Sequence, residues 1–364
     1  MPPLVTYLQS LRQIRSTGMA TPETSYYGPL ETLLDEIGAT LSPQVHAVIQ
    51  VSQRGAGLPD GGLFDVSIGG TAVALLEVKP THDDSWRTAQ GEQVTRYWNA
   101  RPLVLVTNLR DFVVVGRDEL TGERRIEGEY RLADSEADFW QEPVGRIAHR
   151  HADSFTEFLS IFMRRHAPIT EPADLADVLA YYARLARQRI LDIPSEDLAS
   201  LRGALEGLLG IQFQTEEAEK LFFRSSLVQT LFYGLFSAWV LWAENAPPDQ
   251  LYDWRTTAYY LQVPVVEALF HEFSRPQRLR ALQLTDLLAQ AGTALNRVDR
   301  AAFLQRFHHG QAVTYFYEPF LAAFDPELRD QMGVWYTPPE IVQYQVERVH
   351  MLLHSELGIA DGLA

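Results

Sequence analysis

Apolar residues alternate or cluster in short blocks through the first third of the chain and recur at helical spacing through the rest. HAVIQVS (46–52), LFDVSI (63–68), TAVALLEVK (71–79), PLVLVTN (102–108) and DFVVVGR (111–117) predict strands. Gly69-Gly70 predicts a two-residue hairpin turn between the second and third, and RGAGLPDGG (54–62) a loop before them. PLETLLDEI (29–37) and WRTAQGEQVTRYWN (86–99) predict helices. The order α-β-β-β-α-β-β describes a mixed α/β domain.

From about Ser154 the pattern turns helical. ADLADVLAYYARLARQRIL (173–191), the long stretch 218–245, VPVVEALFHEFS (263–274) and RLRALQLTDLLAQAG (278–292) carry 3.6-residue spacing without hairpin signals. Breaks fall at Pro194, Pro247-Pro248, Pro264 and Pro276. The expected division is 1–150, 151–310 and 311–364: an α/β domain, an all-α connector and the opening of a third unit. At 364 residues this is an ordinary allotment.

Composition narrows the chemistry. There is no cysteine, which excludes disulfides, Cys-ligated zinc and a thiol nucleophile. The longest apolar run, LFYGLFSAWVLWA (231–243), is shorter than a bilayer span and predicts a buried helix. The N-terminus lacks the basic-then-apolar order of a signal peptide, so a cytoplasmic protein is expected. A formal net charge of −16 argues against a globally basic nucleic-acid binder and leaves local basic surface open. Of 31 basic residues only Lys79 and Lys220 are lysines. A lysine kept in so arginine-rich a chain points to chemistry that a planar, always-charged guanidinium performs badly.

Glu77-Val78-Lys79 ends an apolar strand, an unusual place for two charges. Pairing across a Gly69-Gly70 turn sets Lys79 opposite Asp60 and Glu77 opposite Gly62, so Asp60, Glu77 and Lys79 share one sheet face. Asp65 lies on the other face in this register. A loop one residue longer would reverse that parity, so Asp65 stays open as the second carboxylate. Two carboxylates beside an ammonium suit Mg²⁺, which accepts one or two carboxylates and keeps its waters. Such a metal activates a bound water, while the lysine orients it and stabilises developing charge.

These residues, Pro59-Asp60 followed by Glu77-Val78-Lys79, resemble the PD-(D/E)xK nuclease superfamily. The resemblance covers roughly residues 20–117. It implies a restriction-endonuclease-like mixed sheet flanked by helices, with Asp60 and Glu77 as metal ligands and Lys79 as a catalytic residue. PETSY (22–26) resembles the acidic entry segment of nuclease domains in large restriction–modification enzymes, which implies Glu23 as a further member of the site, although Glu31 lies nearby. Gln93 and Tyr97 resemble their glutamine-containing helix motif, although Gln93 on a polar helix face also reads as surface.

GVWYTPPE (333–340) has a local explanation as a helix start, with Thr337 as N-cap, Pro338 at the first position and Glu340 completing a capping box. GVWYTPPEIV also resembles the motif that opens the catalytic domain of N6-adenine DNA methyltransferases. That resemblance implies Tyr336, Thr337 and Pro338 as part of an AdoMet site. TYFYEPFLAAFDPELRDQMG resembles the preceding segment of type IIG and type ISP enzymes. The glycine-containing AdoMet loop and the Asn/Asp-Pro-Pro-Tyr/Phe tetrad do not occur, so methylation by this chain alone is not expected. No G-x-x-x-x-G-K-S/T occurs either, which favours the type IIG order.

The expectation is therefore a Mg²⁺-dependent endonuclease acting on double-stranded DNA. A helical connector would join it to an adenine methyltransferase and target-recognition part supplied in cis or in trans. The competing expectation is an inactive nuclease-fold scaffold that docks a methyltransferase or another defence partner. His350/His354, His308-His309 and His149/His151 lack a third ligand and read as surface or interface positions. Arg184/Arg187/Arg189 and Arg275/Arg278/Arg280 are small basic clusters that suit phosphates or a solvated helix face.

Overall fold

The computed structural model describes residues 2–49, 59–67, 72–101, 103–118, 120–210, 217–262, 267–268, 270–271, 274–307, 316–326, 337 and 339–363. The chain divides into two compact units, Met1–Ala167 and Pro168–Ala364.

The first unit is a six-stranded mixed sheet flanked by helices. In chain order its elements are α1 (Pro3–Ser16), α2 (Tyr27–Gly38), β1 (Val45–Ile49), β2 (Gly61–Asp65), β3 (Ala72–Val78), α3 (Ser85–Ala89), α4 (Glu92–Ala100), β4 (Val104–Thr107), β5 (Asp111–Arg117), β6 (Arg124–Arg131), α5 (Glu136–Gln141) and α6 (Val144–Met163). The strands lie in sequence order, and only β3–β4 is parallel. A parallel pair needs a crossover connection, which α3 and α4 supply. Residue 150, the edge expected from the sequence, lies within α6.

Two apolar layers cover the sheet. Leu4, Leu8, Leu30, Leu34, Leu63, Leu76, Val78, Leu105, Phe158 and Leu159 belong to the larger, built with α1, α2 and α6. Ala72, Leu75, Val94, Tyr97, Val104, Val106, Val113 and Val115 form the smaller layer, beneath α3 and α4. Side chains alternate along a strand, so Glu77, between Leu76 and Val78, falls on the α4 side with Leu75.

Several elements differ from the sequence expectation. Gly61 and Gly62 are strand residues rather than loop, and the predicted helix 86–99 is two helices separated at Gln90-Gly91. Strand β6 and helices α1, α5 and α6 have no counterpart in the expectation. The predicted turn, residues 68–71, lies outside the described residues. The hairpin register also differs. Gly61 pairs with Leu76, Gly62 with Leu75 and Leu63 with Ala74, which sets Asp60 level with Glu77 rather than with Lys79. The cause is local. β2 ends at Asp65, whose Oδ1 accepts hydrogen bonds from the Ser67 N–H and hydroxyl, both at 2.6 Å. Phe64 then pairs with Ala72, leaving Val73 as one extra residue before Leu63–Ala74. The Phe64–Ala72 pair thus has the opposite parity to the one expected, and the bulge at Val73 reverses it again, so Asp60, just before β2, comes level with Glu77.

The second unit is helical. It contains α7 (Pro172–Leu191), α8 (Ala199–Leu209), α9 (Glu217–Asn245), a 3-10 segment Trp254–Tyr260, α10 (Pro276–Ala281), α11 (Thr285–Asn296), α12 (Arg300–Arg306), α13 (Glu318–Phe324) and α14 (Pro339–Ser355). The apolar run 231–243 lies inside α9. By length and composition Phe222–Asn245 could cross a membrane, contrary to the shorter span read from the sequence, but 67% of its apolar window is buried within the unit. Leu231, Phe232, Leu235, Phe236 and Trp239 fill the core there.

Candidate active site

Strand β3 delivers Glu77 and Lys79 to the α4 side of the sheet, and backbone pairing fixes them. Lys79 N–H donates to the Thr107 carbonyl at 2.7 Å, which ties the end of β3 to β4. Asp60 precedes β2, and its N–H donates to the Leu76 carbonyl at 3.1 Å. Its Oδ2 accepts from the Val78 N–H at 2.8 Å. Gly61 lets β2 lie close against β1: a Cβ there would lie 2.8 Å from the Val48 carbonyl oxygen.

Glu77 is fully buried, and its Oε1 lies 2.5 Å from Lys79 Nζ. Among the described residues, neither Glu77 oxygen meets a donor at good hydrogen-bond geometry, although the Lys79 ammonium and the Tyr97 hydroxyl both bear on this carboxylate. Burial raises the Glu77 pKa and the Asp60 charge adds to the rise, against the opposing effects of Lys79 and Tyr97. For Lys79, burial acts to lower the pKa, but the hydrogen bond and charge of Glu77, with Asp60 and Glu23, outweigh it and raise the pKa. The ammonium form is therefore favoured.

Tyr27, the first residue of α2, completes the arrangement and is absent from the residues that the sequence singles out. Its hydroxyl lies 2.8 Å from Glu23 Oε1 and 2.9 Å from Asp60 Oδ1. Burial raises the phenol pKa, and the two carboxylates raise it further. The spacing Glu23–Tyr27 is a helical-turn signal, but the contact with Asp60 spans 33 residues and has no local signature. Gln93 is exposed on α4 and donates from Nε2 to the Tyr97 hydroxyl at 2.8 Å.

The other candidates lie elsewhere. Asp65 Oδ2 lies 2.7 Å from His166 Nε2, and Glu31 accepts from the Ile49 N–H at 3.1 Å. Thr337 is exposed, while Tyr336 and Pro338 lie outside the described residues. His308 and His309 are also outside them. His151 Nδ1 lies 3.1 Å from the Tyr130 hydroxyl, and His350 Nδ1 accepts from the Leu363 N–H at 3.3 Å. Arg187 pairs with Asp325, Arg189 with Asp286, and Arg184 donates to the Ala323 carbonyl. Arg275, Arg278 and Arg280 are also engaged.

Among the described residues, no three histidine or acidic side chains converge as a preformed metal cage. Asp60 and Glu77 nevertheless suit a hard cation that takes one or two carboxylates and retains waters. The poorly partnered, buried oxygens of Glu77 fit such a ligand.

No family profile and no curated protein matches the chain in sequence. Solved structures match by shape. One, titled as the cryoEM structure of a DrdV–DNA complex, is 18% identical with a TM-score of 0.33, over 97% of this chain and 32% of that chain. The chain therefore spans about a third of the matched chain's length. A match at that level leaves the reading of the site to its own geometry.

Proposed function

We propose that the first unit is a Mg²⁺-dependent endonuclease domain of the PD-(D/E)xK type acting on double-stranded DNA. The observation that carries the reading is the convergence of Asp60, Glu77 and Lys79 at the end of β3, with Asp60 held by Val78 N–H and Glu77 by Lys79. Asp60 and Glu77 would hold the cation, which supplies an activated water and neutralises phosphoryl charge. Lys79, favoured as an ammonium, would orient that water and stabilise negative charge developing on the phosphate. The helical unit would connect this domain to an AdoMet-dependent adenine methyltransferase part of a restriction–modification enzyme.

Lys79→Ala and Asp60→Ala should each reduce Mg²⁺-dependent cleavage of double-stranded DNA by at least about 10²–10³-fold in the full-length enzyme. Cleavage at the wild-type rate by both folded variants would sink the assignment.

A further inference from the structure

Resting on that metal-site reading, we propose that Tyr27 is a positioning residue for Asp60, and that Glu23 acts on the site through the Tyr27 hydroxyl rather than as a metal ligand. A carboxylate offers about four lone-pair positions. Asp60 has one donor on each oxygen, Val78 N–H on Oδ2 and Tyr27 on Oδ1. That pair fixes the plane of the carboxylate and leaves the remaining lone pairs for a cation.

The phenol has one hydrogen and two carboxylate neighbours, Glu23 at 2.8 Å and Asp60 at 2.9 Å. It donates to one at a time, so Glu23 and Asp60 share the Tyr27 hydrogen. Among the described residues, Glu23, Asp60 and Glu77 do not form a three-carboxylate cation group. Glu23 and Asp60 instead meet at the Tyr27 hydroxyl. The buried Tyr27 ring, anchored at the start of α2, gives this link a fixed position.

The test is calorimetric titration of Mn²⁺ into the full chain, with melting temperatures measured on the same samples. Tyr27→Phe should weaken Mn²⁺ binding about 10–100-fold, the range for groups that orient metal ligands. Adding Glu23→Ala to Tyr27→Phe should change the affinity by less than about twofold, since the link is already cut. Losses that multiply in the double variant would make Glu23 a ligand and overturn the proposal. Unchanged binding by Tyr27→Phe, with binding abolished by Asp60→Asn, would overturn the role of Tyr27 and leave the metal site standing. No Mn²⁺ binding by the wild type would overturn the metal-site reading itself, and this proposal with it. Should Tyr27→Phe fail to fold, Glu23→Gln decides: it still accepts from Tyr27 and should bind within about threefold of wild type, whereas a loss above about tenfold marks a direct ligand.

Discussion

Lys79 Nζ lies 2.5 Å from Oε1 of Glu77, a carboxylate with almost no solvent exposure two residues earlier on the same strand. Removing the lysine leaves that charge buried without a counter-ion. Because Lys79 is about one-quarter exposed, the expected cost lies between surface and buried pairs, on the order of 2 kcal/mol for Lys79→Ala. Lys79→Ala/Glu77→Gln should recover most of it. Urea denaturation of the three proteins measures both effects.

Lys79→Arg keeps a positive charge but replaces a compact ammonium with a planar fork. It should fold with a melting temperature near that of wild type while cleavage falls by about 10²-fold or more. Cleavage assays run beside thermal melts check the separation.

Asp65 gives a pH signature. Burial acts to raise its pKa, but hydrogen bonds from Ser67 and His166 and the His166 charge lower it overall. The folded value is therefore below the unfolded one. Its stabilisation is present above the unfolded value, about 3.9, and is lost as pH falls through the folded value. Asp65→Asn should cost about 1–3 kcal/mol at pH 7, and the difference from wild type should shrink in acid. Denaturation series at several pH values test this.

Gly61→Ala places a methyl group against the Val48 carbonyl, so β1 and β2 must separate next to Asp60. A destabilisation of about 1–3 kcal/mol is expected. Cleavage should fall further than stability alone explains, because Asp60 moves with the strand. Activity measured well below the melting transition distinguishes the two effects.

The central strands are legible in the sequence because their apolar runs are uninterrupted: β4 and β5 fall within the predicted segments. Strand β6 (RRIEGEYR) is not, since among the described residues it pairs with β5 alone and carries charges at most positions. Helix α1 has a usable signal in Leu4, Tyr7, Leu8 and Leu11 at helical spacing after Pro3. At the site, Glu77 and Lys79 stand out as charges ending an apolar strand. Their register with Asp60 differs from the expected one because turn length and bulge position depend on packing. Tyr27 escapes a sequence reading because its partner is distant along the chain.

The hairpin behaves like a frameshift with its suppressor. The Phe64–Ala72 pair is out of phase with the pairs that follow, and Val73 restores the phase before the chain reaches Glu77. Length changes at the tip and at Val73 are therefore coupled: a one-residue change in either, made alone, turns Glu77 and Lys79 to the opposite face, whereas compensating changes in both leave the site intact.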